Sequence, residues 1–112
     1  MLVVDDDEGI CTTMADILDA MNFDVNVAND GYKAIELVEV HEFAMTLMDV
    51  RMPGLDGLET LKRLRKKKPS LKVVIMTAYS SPDTLDEIKK IGVDGILAKP
   101  INFTELFRLM PC

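Results

Sequence analysis

The chain has 112 residues, of which 48% are hydrophobic and 29% are charged, so it can form one domain with one modest core. Its formal net charge of −6 argues against direct nucleic-acid binding and against an anionic membrane surface, because both require a basic face. No apolar run approaches the roughly 20 residues of a membrane span, and no signal-peptide pattern is present. Two cysteines make no disulfide framework, which favours reduced thiols and a cytoplasmic location.

Two strand-and-helix units are predicted in the first half of the chain. A short apolar run at residues 2–4 ends in a group of acids, and apolar residues then recur at helical spacing over residues 8–21. Residues 24–28 alternate like a strand, and the turn residues 29–31 precede a second helical stripe. Cys11 falls within the first helical stripe, which favours a buried, reduced thiol.

Three further units follow in the second half. Residues 43–48 predict a buried strand, and a turn-rich loop then leads to a helix that ends in the basic run 62–68. We interpret that run as a solvated helix face whose cations complement the helix dipole. Residues 71–76 predict the fourth strand and residues 95–98 the fifth, after which Asn102 is a candidate cap for the last helix.

The alternation of five strands with five helices predicts the fold class. Near-continuously apolar strands indicate a parallel sheet covered by helices on both faces, an α/β architecture. Right-handed crossovers then place the carboxyl ends of all strands on one edge. The eight methionines fall mostly in the strands and helical stripes, so we interpret them as core-filling residues rather than as metal ligands.

Chemically reactive side chains follow the predicted strands at that edge. They are Asp5, Asp6 and Asp7 after the first strand, Asp49 after the third, Thr77 after the fourth and Lys99 after the fifth. Taken singly, each has a structural explanation: the three acids of the first strand as charges at a helix N-terminus, Asp49 as a helix or turn cap, Thr77 as a turn hydroxyl and Lys99 as a solvated strand end. Taken together, the grouped carboxylates repel one another unless a cation neutralises them, and oxygen-only ligands suit Mg²⁺.

Phosphoryl transfer gives this group of residues a chemical reason. The reaction requires an in-line nucleophile and positive charge on the transferring oxygens, and most of its catalysis is positioning and electrostatics. An aspartate, Mg²⁺, a lysine ammonium and a hydroxyl supply that set. The hypothesis is therefore that Asp49 is a carboxylate that becomes phosphorylated.

Four motifs lie on the strand ends in order, namely VVDDDE, LMDVRMPGLDG, VIMTAY and LAKPI. Together they resemble the response-regulator receiver domain of two-component signalling, over essentially the whole chain. The resemblance implies a flavodoxin-like three-layer sandwich whose five parallel strands have the order 2-1-3-4-5. It also implies a single receiver domain over residues 1–112, which we expect to be trimmed at both ends or excised from a longer protein.

The resemblance implies a role for each acid at the sheet edge. Asp49 would accept a phosphoryl group from the phosphohistidine of a sensor histidine kinase or phosphotransfer domain. Asp6 would bind Mg²⁺ directly and Asp5 mainly through water, while Asp49 and the backbone carbonyl of Arg51 complete the protein ligands. The family pattern assigns no role to Asp7, which we interpret as added local negative charge.

The resemblance also implies how the phosphoryl group is bound and read out. Lys99, in an often cis Lys99–Pro100 bond, would pair with one phosphoryl oxygen, while the Thr77 hydroxyl and the Ala78 backbone bind others. Movement of Thr77 would repack the face made by the fourth helix, fifth strand and fifth helix. Ile96 stands where the family usually has Tyr or Phe, so we interpret it as a packed strand residue at the readout position.

The implied partners are a kinase or phosphotransfer domain and an effector or output domain, which can belong to the same full-length chain. A homodimer through the readout face is a further expectation, and the domain is expected to catalyse only its own phosphorylation and dephosphorylation. Two alternatives stay open. One is a Mg²⁺-dependent phosphohydrolase with Asp49 as its nucleophile, although no second acid stands two residues later. The other is a domain that binds a partner without phosphorylation.

Overall fold

The structure is a computed structural model that describes residues 1–50, 57–78 and 82–110. Strands and helices alternate along the chain as predicted. Their bounds are β1 Leu2–Val4, α1 Glu8–Ala20, β2 Asn26–Ala28, α2 Gly31–Val40, β3 Thr46–Asp49, α3 Gly57–Lys67, β4 Val73–Thr77, α4 Pro82–Ile91, β5 Gly95–Ala98 and α5 Phe103–Leu109. None of the helices in these ranges is long and apolar enough to cross a membrane.

The five strands form one parallel sheet in the order β2-β1-β3-β4-β5. The carboxyl ends of the strands therefore share one edge, since neighbouring strands run in the same direction. The flavodoxin-like order 2-1-3-4-5 implied by the resemblance is confirmed. β1 and β3 are direct neighbours at the centre of the sheet, and β4 separates β3 from β5.

Two apolar cores cover the two faces of the sheet, because side chains alternate along each strand. Val4, Met48 and Ile75 point to one face, where they meet α2, α3 and α4. Val3 and Met76 belong to the other core, which includes residues of α1 and α5. Of the described methionines, all except Met21 are buried, which confirms their role as core-filling residues.

Two strands differ from the sequence-based bounds at functionally relevant points. The third strand begins at Thr46, whereas the apolar run began at Phe43. Phe43 is partly buried in the preceding loop, where it packs against the core and its ring centroid lies 5.9 Å from that of His41. Asp49 and Thr77 are the last residues of β3 and β4 rather than the residues after them. The early start predicted for the third strand has a physical reason: an apolar run indicates which residues are buried, and a partly buried residue such as Phe43 need not pair with another strand.

Three helices begin with a side-chain cap of the same kind. Asp7 caps α1, Asp30 caps α2 and Asn102 caps α5, and each side chain accepts a hydrogen bond from the backbone N–H three residues later. Such caps satisfy a backbone donor that has no partner inside the helix. The predicted capping role of Asn102 is confirmed. A different feature ends α4: Gly92, which directly follows its last residue, has φ of +95°, a conformation that glycine adopts readily.

The interpretation of the basic run as a solvated face is wrong for Arg65. Its side chain is only 17% exposed, and its Nε donates to the carbonyl of Gly92 at 2.8 Å. The same guanidinium donates to the carbonyl of Leu71 and to Asp94 Oδ2, the latter at 3.3 Å. Arg65 therefore joins the end of α3 to the loop before β4 and to the loop between α4 and β5.

The thiol of Cys11 is free and buried in the core between the sheet and the helices α1 and α5. Burial, together with the negative charge of Asp5, raises the pKa of this thiol to about 11. Its Sγ donates to the backbone carbonyl of Asp5 at 3.2 Å. Cys11 is therefore a structural thiol, as expected, and Cys112 lies outside the described residues.

We expect Thr46→Val to stabilise the fold. The Thr46 hydroxyl is fully buried and has no hydrogen-bond partner within the described ranges, so it bears an uncompensated desolvation cost. Valine of similar shape should raise the free energy of unfolding by about 1 kcal/mol, measured by urea denaturation. Thr60, which is equally buried but does make a polar interaction, is the matched control, and Thr60→Val should destabilise. Similar changes in both variants would contradict this.

Arg65→Met should lower the free energy of unfolding by about 2 kcal/mol, because several backbone carbonyls lose a charged donor. Arg65→Lys should recover little of this loss, since one ammonium cannot reproduce the planar fork of donors. Lys66→Met, at the exposed neighbouring position, is the control and should change stability little. If Arg65→Met and Lys66→Met unfolded at the same urea concentration, Arg65 would not be a structural brace.

Candidate functional site

The carboxyl edge of the sheet brings three acids and one lysine together. Asp5 follows β1, Asp49 ends β3 and Lys99 follows β5. Lys99 Nζ lies 2.9 Å from Asp5 Oδ2 and 2.9 Å from Asp49 Oδ2. One carboxylate oxygen from each of Asp5, Asp6 and Asp49 lies within 4.8 Å of the others. The structure thus places four of the candidate residues in one group.

The group has a buried side and an open side. Asp5 is completely buried and Asp49 is 6% exposed, whereas Asp6 is exposed to solvent. Within the described ranges, Asp6 makes no hydrogen bond or ion pair. Asp6 is therefore the acid of this group that is most accessible to a ligand from solvent.

Lys99 supplies the positive charge of the site. Burial on its own lowers the pKa of Lys99, but hydrogen bonds to Asp5 and Asp49 and the charges of these acids raise it more, so the net pKa lies above its usual range. The lysine is therefore protonated at neutral pH. Its backbone N–H donates to the carbonyl of Thr77 at 2.8 Å, and the Lys99–Pro100 peptide bond is cis.

Hydrogen bonds within the protein hold both the side chain and the backbone of Asp5 in place. Its Oδ1 accepts from the backbone N–H of Asp7 at 3.0 Å, while Oδ2 accepts from Lys99. Its backbone N–H donates to Ala28 at 3.1 Å, and its carbonyl accepts from the Cys11 thiol at 3.2 Å. A buried carboxylate requires such partners because an unpaired buried charge is costly.

The donor set fits a hard divalent cation. Three carboxylates supply only oxygen, and together with one ammonium they leave an excess of two negative charges at the edge. Mg²⁺ prefers a few carboxylates and retains several waters, which the exposed position of Asp6 permits. The backbone carbonyl of Arg51, the remaining expected ligand, lies outside the described residues.

The remaining candidate residues lie at or near the same edge. Thr77 is the buried last residue of β4, next to the strand that ends in Asp49, and the exposed Ala78 follows it. Ile96 lies one residue into β5, is paired with Ile75 and packs against the core beneath α2, α3 and α4. It is therefore a packed strand residue separate from the group of acids.

The sequence-based interpretation of Asp7 as added charge is incomplete. Its Oδ1 accepts from the backbone N–H of Ile10 at 3.2 Å, which makes it the cap of α1. Its own N–H holds the Asp5 carboxylate, as described above. A signal was present in the sequence, because an aspartate directly before a helical apolar stripe is a typical N-cap. The neighbouring acids obscured it.

Comparison with known proteins gives consistent results. The chain matches the family model of the response regulator receiver domain over residues 1–110. It is 44% identical, over 95% of its length, to the transcriptional regulatory protein ZraR of Klebsiella oxytoca, of which it spans only 24%. It is 32% identical to sporulation initiation phosphotransferase F of Bacillus subtilis over 95% of its length, and spans 86% of that protein.

Solved structures share the fold over almost the whole chain. Chemotaxis protein CheY4 of Vibrio cholerae superposes with a TM-score of 0.88 at 29% identity, covering 97% of this chain and 96% of that one. A response regulator protein from Burkholderia pseudomallei, solved with a phosphorylated aspartic acid, calcium ion and citrate, gives 0.89 at 27% identity, covering 98% and 65%. The chain therefore belongs to the response regulator receiver domain family, a family of signalling domains.

Proposed function

We propose that this domain is a phosphorylation-activated switch in which Asp49 accepts a phosphoryl group from the phosphohistidine of a sensor histidine kinase or phosphotransfer domain. The observation that carries the proposal is the position of the Asp49 carboxylate, which lies at the open edge of the sheet with a lysine ammonium on one oxygen and two further acids nearby. The similar Burkholderia protein was solved with a phosphorylated aspartic acid, which supports the same chemistry here.

In the proposed transfer, an Asp49 carboxylate oxygen attacks the phosphorus in line with the departing histidine nitrogen. The P–N bond breaks with its electron pair on the imidazole, which takes up a proton, and an O–P bond forms. Lys99 already contacts Asp49, so it exchanges that contact for a phosphoryl oxygen and keeps its contact with Asp5. The Thr77 hydroxyl and the Ala78 backbone N–H donate to the other phosphoryl oxygens.

The excess negative charge explains why the proposed reaction depends on Mg²⁺. Asp6 and Asp49 would hold the ion directly, with the Arg51 carbonyl as a third ligand. Asp5 would bind through water, since each of its carboxylate oxygens already accepts a hydrogen bond from the protein. When bound, Mg²⁺ would neutralise the carboxylates and the negative charge on the phosphoryl oxygens.

The proposed output is a change in the face formed by α4, β5 and α5. Thr77, at the end of β4, would move toward the phosphoryl group together with Ala78, and the residues 79–81 that lead to α4 lie outside the described part of the chain. An effector domain, in this or another chain, or a second copy of the domain would bind the altered face. On α5, Phe103 and Phe107 are 37% and 44% exposed, which provides apolar area for such a partner.

Incubation with Mg²⁺ and acetyl phosphate should add one phosphoryl group to the parent protein, as measured by intact mass. Asp49→Ala should acquire none, because the nucleophile is gone, and chelation of Mg²⁺ should abolish the adduct. Asp19→Ala, an exposed acid on α1, is the control and should behave like the parent. An adduct that survives in Asp49→Ala would contradict the proposal. No adduct on the folded parent would favour phosphorylation-independent binding, and repeated turnover of a free phosphomonoester would favour the phosphohydrolase.

Lys99→Met should lower the free energy of unfolding by about 3 kcal/mol in Mg²⁺-free buffer, because Asp5 and Asp49 lose their buried counter-charge. The pKa of Lys99 is raised on folding, so its contribution is fully present below its unfolded pKa of about 10.4. It decreases as pH rises through the folded pKa. Denaturation across that range should show the gap between parent and variant closing at the alkaline end.

The exposed Lys89→Met is the control for the loss of one lysine and should follow the parent at all pH values. Addition of Mg²⁺ should restore part of the stability of Lys99→Met, since a ligand that binds only the folded state stabilises it. A constant gap between parent and Lys99→Met at every pH would show that the ammonium charge contributes nothing.

A further inference from the structure

The position of Asp6 depends on its neighbours in the chain. Its exposed carboxylate makes no hydrogen bond or ion pair within the part of the chain that the structure describes. The backbone on either side, at Asp5 and Asp7, therefore sets the position of the Asp6 Cα and the direction of its Cα–Cβ bond, from which the carboxylate reaches a ligand. A ligand that must sit within a group only 4.8 Å across requires this backbone to be well ordered.

The first turn of α1 holds the backbone on both sides of Asp6. The Asp7 side chain accepts from the N–H of Ile10 at 3.2 Å, and the Asp7 carbonyl accepts from the N–H of Cys11 at 3.0 Å. Cys11 also donates its thiol to the Asp5 carbonyl at 3.2 Å. The Asp7 N–H in turn donates to Asp5 Oδ1 at 3.0 Å. The cap of α1 and the Asp5 carboxylate therefore belong to one continuous set of hydrogen bonds, which holds the residues on either side of Asp6.

We propose that Asp7 is a positioning residue for the cation-binding acids, acting through its cap on α1 rather than through its charge. This inference rests on the proposed function. Asp7 is exposed and is not among the three acids that could share an ion, so it acts through Asp5 and Asp6. Loss of the cap frays the first turn, the Asp7 N–H leaves the Asp5 carboxylate, and the backbone at Asp6 loses its fixed position.

Two neutral substitutions separate the cap from the charge. Asparagine caps helices about as well as aspartate, whereas alanine does not, so Asp7→Asn and Asp7→Ala differ in the cap and share the same loss of charge. Asp30 offers a matched pair at the start of α2. Its Oδ1 accepts from the Lys33 N–H at 2.8 Å, the same type of cap, and it lies outside the group of acids.

The test measures Mg²⁺ affinity by isothermal titration calorimetry and the order of the Asp6 backbone by ¹⁵N relaxation in Mg²⁺-free protein. Asp7→Ala should bind Mg²⁺ about tenfold more weakly than Asp7→Asn, with a more mobile Asp6 amide. Asp30→Ala should unfold at lower temperature than Asp30→Asn, yet the two should bind Mg²⁺ equally. General loss of stability would move both pairs together.

Equal Mg²⁺ affinity of Asp7→Ala and Asp7→Asn would overturn the inference, whether both bind like the parent or both bind more weakly. A parent that binds no Mg²⁺ would overturn it too, because no ion would then be positioned. Failure of the proposed phosphoryl transfer is distinguishable from these outcomes. A parent that binds Mg²⁺ but acquires no adduct on Asp49 would refute the transfer, while the difference between Asp7→Ala and Asp7→Asn would still support the positioning role.

Discussion

The contact of Lys99 with Asp5 and Asp49 is the interaction on which the rest of this sheet edge depends. The two carboxylates are buried at the ends of neighbouring strands, where like charges repel. The ammonium that balances them comes from the far side of β4, 94 and 50 residues away along the chain. A long side chain is required to span that strand. One lysine therefore joins the ends of β1, β3 and β5 and provides the counter-charge that offsets the cost of burying the two acids.

Even with this contact, the carboxylates at the edge outnumber the cations among the described residues, so an excess of negative charge is left. Asp6 adds a third carboxylate on the exposed side, and no described cation pairs with it. Carboxylates without a counter-charge lower the stability of a folded domain, so stability alone does not explain this excess. Such unfavourable arrangements are typical of functional sites. A divalent cation would offset this excess, and in the proposed reaction Lys99 would exchange its contact with Asp49 for a phosphoryl oxygen.

The fold class and the residues at the strand ends were predictable from local patterns, whereas the strand order 2-1-3-4-5 came from the resemblance to the receiver family. Apolar strands that alternate with helical stripes indicate a parallel sheet, and the common direction of its strands places every acid at a carboxyl end on one edge. Arg65 shows where this reasoning ends. In a run of six cations it looks like its neighbours, and only the three-dimensional positions of its partners, including Gly92 and Asp94, make it a partly buried brace. The capping role of Asp7 was missed for a related reason, since the sequence alone does not distinguish an aspartate that caps a helix from one that is only a surface charge.

Ile96 restricts how the proposed switch can transmit its signal. A β-branched side chain is restricted at χ1, and this one packs against the core beneath α2, α3 and α4. The swing of an aromatic ring between buried and exposed positions is therefore unavailable at this position. The backbone offers another route, because the Lys99 N–H donates to the Thr77 carbonyl at 2.8 Å. Both residues would bind the phosphoryl group, so the displacement of one reaches the other and the end of β5 directly.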